Sequence, residues 1–244
     1  MTFNEFNLKD LLQKAIDEAG FKEPSPIQEQ AIPFVLDGRD IVGQAHTGTG
    51  KTAAFGLPIL NKMKGNNGVE AVVIVPTREL AMQVSDELYR FGKFLGINTA
   101  TVYGGQAYAR QIKLIENAGV IVATPGRFLD LLRGGKIDIK PNYVILDEAD
   151  EMLDMGFLDD IKEIFTFLPA ERQTLLFSAT MPVAIKNLAK TILNNPEFIT
   201  LTKSDVTNSK ITQTFYVVDE RERDDALIRL YDYKNPSKSI IFCR

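Results

Sequence analysis

The segment Ala45-His46-Thr47-Gly48-Thr49-Gly50-Lys51-Thr52 lies between a β-branched run and a helical pattern. Glycines in that context let the chain wrap so that consecutive N–H groups and a helix N-terminus face phosphate oxygens. Lys51 would then reach the β- and γ-phosphates of a nucleotide, and the Thr52 hydroxyl would bind Mg²⁺. The strict form of such a loop begins with Gly, and Ala45 departs from it; a Gly-rich turn without a ligand is the competing reading. His46 takes a variable position of the loop, where a solvent-facing side chain is the better reading than a ligand.

A second chemical signal follows the apolar run 143–146, which leads into Asp147-Glu148-Ala149-Asp150. An acidic pair at the carboxyl end of a buried strand is what a nucleotide hydrolase needs opposite its lysine. Asp147 would hold Mg²⁺ through water, and Glu148 would polarise the attacking water. Alone, the same residues could form a solvated acidic turn. Combined with the upstream loop they specify nucleotide hydrolysis, with Lys51, Asp147 and Glu148 as the catalytic set.

These residues need a scaffold, and the sequence predicts one. β-Branched runs at 41–45, 71–75, 99–103, 120–123, 143–146, 174–177 and 198–201 alternate with helical patterns such as 79–94 and 182–193. Several runs are apolar on both faces, as in a parallel sheet covered by helices. The expectation is an α/β domain with ligands at the carboxyl ends of its strands. Helical stretches at 8–19 and 25–36 lie in residues 1–36, which are expected to be part of this same domain, with its ATP-binding core over 37–202. Residues 203–210 read as a polar linker. A strand at 211–218, a charged helix at 223–231 and a strand at 239–242 then read as the truncated start of a second domain, too small to bury its own core.

Composition narrows the chemistry further. The 244 residues include one Cys and one His, so an internal disulfide and a Cys/His zinc site are excluded. The net charge of −4 argues against a protein coated in basic patches, though not against a local basic groove. The N-terminal residues lack the basic flank and apolar run of a signal peptide. No stretch reaches the about 18 apolar residues of a membrane span. The expectation is a cytoplasmic chain with no membrane partner.

With Asp147-Glu148-Ala149-Asp150 spelling D-E-A-D, the chain resembles a bacterial DEAD-box RNA helicase over its whole length. Gly20-Phe21-Lys22-Glu23-Pro24-Ser25-Pro26-Ile27-Gln28 is similar to that family's Q motif, with Phe6 as its upstream aromatic. The A-x-T-G-x-G-K-T loop is the family's own variant, which accounts for Ala45. Pro76-Thr77-Arg78-Glu79-Leu80, Gly104-Gly105 and Thr124-Pro125-Gly126-Arg127 match its RNA-contact motifs, and Ser178-Ala179-Thr180 matches the motif coupling hydrolysis to strand separation. The resemblance implies a RecA-like α/β fold, ATP and Mg²⁺ as ligands, and RNA as partner.

Each match has a physical reading and a plainer alternative. The Gln28 amide offers the donor and acceptor that adenine N6 and N7 require, and Phe6 would stack on the base; a helix-surface amide and a core contact are the alternatives. Arg78 and Arg127 follow strand ends, where cations and free N–H groups suit backbone phosphates, and Gly104-Gly105 permits close approach of the strand. Solvated loop charges are the alternative for each arginine. Ser178 and Thr180 would hydrogen-bond Asp147 or Asp150, or simply cap a strand.

The family completes its ATP site with an H-R-x-G-R motif from the second domain. His46 is the only histidine, so this chain cannot contain it. The chain is therefore expected to bind ATP and Mg²⁺, hydrolyse slowly and not unwind RNA by itself. Self-association through edge strands of the tail is a further expectation. A non-catalytic ATP- or RNA-binding clamp and a DNA-directed helicase stand as rivals.

Overall fold

The structure is a computed structural model that describes residues 1–65, 68–201, 212 and 214–242. It separates into two units, Met1–Val206 and Thr207–Arg244.

The first unit is built on seven strands: β1 (Ile41–Gln44), β2 (Ala71–Ile74), β3 (Thr99–Val102), β4 (Val120–Ala123), β5 (Tyr143–Leu146), β6 (Gln173–Ser178) and β7 (Glu197–Thr200). Their order across the sheet is β3-β4-β2-β5-β6-β1-β7, and every neighbouring pair is parallel. Each strand predicted between 41 and 201 is present with its bounds within one residue. Alternation along the strands explains why they read as continuously apolar. In β2, Val73 faces one hydrophobic cluster while Val72 and Ile74 face the other; in β5, Ile145 opposes Val144 and Leu146 in the same way. Both faces of these central strands are covered, which favours apolar side chains along them.

Helices α1 (Asp10–Glu18), α2 (Pro26–Leu36), α3 (Lys51–Lys62) and α4 (Arg78–Gly92) cover the first face. Leu12, Ile16, Ile27, Phe55 and Phe91 enter its core. The N-terminal segment thus contributes to this domain's core. Helix α2 starts at Pro26, whose fixed φ suits the first helical position, and Gln28 turns back to accept from the Ser25 N–H at 2.9 Å. Helices α5 (Tyr108–Ile115), α6 (Pro125–Arg133), α7 (Ala149–Asp154), α8 (Leu158–Phe167) and α9 (Val183–Ile192) complete the unit, with Phe128, Met152, Ile164 and Leu188 in the second core.

The second unit departs from expectation. A helix is present, α10 (Arg223–Lys234), but residues 214–219 and 239–242 carry no strand. A strand is stable only when its backbone groups pair with a neighbour, and two short apolar runs make at best a marginal pair. The edge-strand route to self-association therefore has no strand behind it among the described residues. The predicted linker at 203–210, with Ile211 and Gln213 of the predicted strand, lies outside the described residues. Among the described residues, no helix is long and apolar enough to cross a membrane.

One buried carboxylate ties three elements together. Asp40 accepts from the Thr174 N–H at 2.8 Å and from the Asn194 N–H at 2.7 Å, while its own carbonyl accepts from Glu197 N at 2.9 Å. Replacing Asp40 by Ala leaves the buried Thr174 N–H and the half-buried Asn194 N–H without their charged acceptor and should lower the unfolding free energy by about 2–3 kcal/mol. Urea denaturation checks this, and an unchanged midpoint would show that those donors find other partners.

Candidate active site

Strand order brings the chemical residues to one edge of the sheet. The loops leaving β1, β5 and β6 carry the phosphate loop, the acidic pair and Ser178-Ala179-Thr180, and these three strands are consecutive neighbours. The loops leaving β3, β4 and β2 carry Gly104-Gly105, Thr124 to Arg127 and Pro76 to Arg78, and those strands are also neighbours. The two halves meet where β2 pairs with β5.

Gly48 and Gly50 hold φ of +81° and +89°, the left-handed region that lets the phosphate loop turn into α3. Gly50 is constrained twice, because a Cβ there would lie 2.3 Å from Gln28 Nε2. Gln28 is only 2% exposed: its Nε2 donates to the Gly50 carbonyl at 3.0 Å, and Ser25 Oγ donates to the Thr49 carbonyl at 2.7 Å. The surface-amide alternative therefore fails, and Gln28 braces the loop. One N–H and one lone pair of its amide remain uncommitted by these bonds. Phe6 is 7% exposed and sits edge-to-face on Phe3 with ring centroids 6.1 Å apart, so core packing positions it and little of it reaches solvent. His46 and Thr47 are exposed, and Thr49 Oγ1 donates to the His46 carbonyl at 2.8 Å.

Beneath the loop, Lys51 Nζ stands 2.8 Å from Glu148 Oε1 and 3.8 Å from Asp147 Oδ1, and donates to the Ala45 carbonyl at 3.2 Å. Exposures of 5%, 3% and 7% for Lys51, Asp147 and Glu148 make this a buried cluster. Burial pushes the Asp147 carboxyl up to about 7; Lys51 opposes the shift and Glu148 adds to it. One ammonium faces two carboxylates, so the cluster lacks positive charge. A hard cation held by the Asp147 carboxylate and the Thr52 hydroxyl fits that donor set. Among the described residues, no group of three or more His, Cys, Asp or Glu could hold a metal ion. The fit is thus to Mg²⁺ bound through few protein oxygens and substrate phosphates, not to an all-protein cage. Glu148 holds φ of +55°, uncommon for a side chain with a Cβ, while its N–H donates to Asp147 Oδ1 at 3.0 Å and its carboxylate accepts from Thr47 Oγ1 at 3.3 Å. Sequence reasoning missed Glu87 of α4, which hydrogen-bonds Thr52 and whose carboxyl burial pushes up.

Ser178 and Thr180 engage Asp150. Its carboxylate accepts from Thr180 Oγ1 at 2.8 Å and Thr180 N at 2.9 Å, and Asp150 N donates to Ser178 Oγ at 3.1 Å. Burial alone would raise the Asp150 carboxyl, but the bonds from Thr180 and Ser178 outweigh it and hold it below the usual value.

On the other half, an open groove of about 490 Å³ is lined by Pro76, Thr77, Arg78, Gly104, Thr124, Gly126 and Arg127. Gly105 and Pro125 do not line it, although a Cβ on Gly105 would lie 3.1 Å from Arg78 Nη1. Met155 and Phe157, from the turn after α7, line it too and carried no sequence signal. Thr77 caps α4 by accepting from Leu80 N at 3.2 Å, and α6 starts at Pro125 after Thr124, so two helix N-termini border the groove. Arg78 is exposed and makes no hydrogen bond or ion pair among the described residues. Arg127 differs: Nη1 donates to the Gln106 carbonyl at 2.7 Å and Gln111 Oε1 at 2.9 Å, with the guanidinium 4.2 Å from the Tyr108 ring centroid. The solvated-charge alternative fails for Arg127.

The family model described as DEAD/DEAH box helicase matches residues 25–188. The DEAD-box ATP-dependent RNA helicase RhpA of Helicobacter pylori is 57% identical over 245 residues, covering 100% of this chain and 50% of the relative. The DEAD-box ATP-dependent RNA helicase CshA of Bacillus subtilis is 47% identical over 247 residues, with the same coverage of 100% and 50%. The chain thus spans about half the length of the curated relatives it matches. The crystal structure of a DEAD box protein from the hyperthermophile Methanococcus jannaschii matches with a TM-score of 0.78 and 44% identity, over 95% of this chain and 63% of that one.

The Asp150 bonds carry a pH signature. A carboxyl lowered in the folded state adds stability above its unfolded value of about 4, and that stability is lost as pH falls through the lower folded value. The thermal midpoint of Asp150→Asn should therefore lie below that of the native chain by a constant margin at pH 6–8. The margin should close as pH falls below about 4. A margin independent of pH would show that the charge of Asp150 is not what the bonds stabilise.

Proposed function

Because this chain belongs to the DEAD/DEAH box helicase family, we propose that it is the nucleotide-binding half of an ATP-dependent RNA helicase, followed by the start of a second RecA-like domain in 211–244. The observation that carries this reading is Lys51, buried against Glu148 and Asp147 under a loop that Gln28 braces. That arrangement supports a site for a nucleoside triphosphate. The uncommitted N–H and lone pair of Gln28 read the adenine edge, and Phe6 flanks the base. The loop amides of residues 46–51 receive the phosphates at the N-terminus of α3.

Lys51 has two partners to choose between. In the structure it neutralises Glu148; turning to the β- and γ-phosphates, it frees the Glu148 carboxylate to orient a water and take its proton. Thr52 and Asp147 would hold Mg²⁺, which when bound supplies charge neutralisation at the phosphate oxygens. Asp150, bonded to Ser178 and Thr180, links this half of the edge to β6, and changes at the phosphates reach Ser178-Ala179-Thr180 through it.

RNA lies along the groove of Pro76, Thr77, Arg78, Gly104, Thr124 and Gly126, bound by its backbone and so largely without sequence preference. The names of the relatives support RNA as the partner, and a cytoplasmic location goes with it. The second half of the enzyme supplies the arginines that complete the site, so this chain by itself binds ATP, hydrolyses it slowly and does not unwind.

Steady-state ATPase with and without single-stranded RNA tests the reading, alongside binding of a fluorescent ATP analogue. The expected result is nucleotide binding that Lys51→Ala weakens at least tenfold, with little hydrolysis and little stimulation. Robust unwinding by residues 1–244 would overturn the half-enzyme part. Stimulation by DNA equal to that by RNA would favour the DNA-directed rival.

A further inference from the structure

We propose that Gln111 is a positioning residue for the strand-binding groove, holding Arg127 and through it the Gly104–Gln106 loop; this rests on the RNA reading above. Gln111 is 0% exposed, and on α5 only it and Ile115 are buried. A primary amide in that position costs free energy unless both its ends are bonded. Both are. Oε1 accepts from Arg127 Nη1 at 2.9 Å, and Nε2 donates to the Tyr103 carbonyl at 2.8 Å. One side chain therefore joins the end of β3 to the first turn of α6.

The segment between these anchors is Gly104-Gly105-Gln106. The two glycines have no side chain through which packing could fix them, and Gly105 holds φ of +90°. Their position depends on the bonds at each end. Arg127 supplies the far anchor by donating to the Gln106 carbonyl at 2.7 Å while its guanidinium lies on the Tyr108 ring. Gln106 Nε2 donates to Tyr103 Oη at 2.6 Å, which closes the loop on itself. The placed loop in turn borders the Arg78 guanidinium, the groove's uncommitted cation.

The choice of an amide also matters for charge. Among the described residues Arg127 has no ion pair, and its Nε is buried without a hydrogen-bond partner. A neutral Gln fixes the guanidinium without cancelling its charge, so the groove keeps a second positive centre for a phosphate backbone. Arg127 thereby acts from within the wall, and Arg78 from the surface.

The test uses chain 1–244 with Gln111→Met, which keeps the shape and removes both bonds. Three readings are expected. Affinity for a labelled single-stranded oligoribonucleotide, with a non-hydrolysable ATP analogue present, should fall about tenfold while affinity for the analogue itself is unchanged. The amides of Gly104, Gly105 and Gln106 should exchange with deuterium faster. Gln111→Met combined with Arg127→Lys should bind RNA no more weakly than Arg127→Lys alone, because both act through one contact. Unchanged loop exchange, additive losses, or an equal loss of affinity for RNA and nucleotide would each overturn the proposal. If the native chain binds no RNA, the helicase reading is what fails, and the exchange rates alone then decide the role of Gln111. Should Gln111→Met not fold, Gln111→Asn gives the same readings, since its amide is one methylene too short to span Tyr103 and Arg127.

Discussion

A single buried ammonium sets the charge balance where β1, β5 and β6 end. Lys51 sits between the carboxylates of Glu148 and Asp147, all three almost out of water. Burying such a group is costly without partners, and here the partners are the very groups that a hydrolysis reaction would use. Burial, with Glu148 alongside, pushes the carboxyl of Asp147 up to about 7, and the cluster is one positive charge short, so a cation-bearing, phosphate-rich ligand suits it. The loop above depends on the same economy of contacts: Gln28 and Ser25 bond its carbonyls, and Gly50 makes room for them.

The sheet turns this local arrangement into a divided edge. Placing β5, β6 and β1 side by side gathers the lysine, the acidic pair and the Ser178 hydroxyl. Placing β3, β4 and β2 side by side gathers two glycines, two arginines and two helix N-termini. Asp150 stands among the first group, its carboxylate committed to Thr180, which ties α7 to the segment following β6. Coupling of two ligands needs a contiguous element that both can bias, and the β2–β5 pair is where the two halves share a backbone ladder.

Legibility in the sequence followed the physics of each feature. The central strands were readable because burial on both faces leaves short runs of Val, Ile and Leu that no amphipathic helix would show, whereas the edge strands β3 and β7 are only partly buried. The phosphate loop and the acidic pair were readable because glycine, lysine and carboxylate are needed at fixed spacing along the chain. The tail strands were misread for the complementary reason: an apolar run proposes a strand, but only a pairing partner makes one. Asp40, Glu87 and Gln111 gave no signal at all, since a lone polar residue looks the same whether it is solvated or buried and fully bonded.

What the sequence by itself determined is therefore the α/β class and the positions of the seven sheet strands, and it named candidate residues for phosphate and metal. These follow from local periodicity and from chemistry that fits within a few consecutive residues. Tertiary structure decided the rest. It made Gln28 a brace of the phosphate loop rather than a surface amide, chose Asp150 over Asp147 as partner of Ser178 and Thr180, and set Arg127 into the wall of the groove while leaving Arg78 free. Each of these depends on which strands become neighbours. Order in a parallel sheet is fixed by crossovers and by core packing summed over the whole domain, and no stretch of sequence read alone contains it.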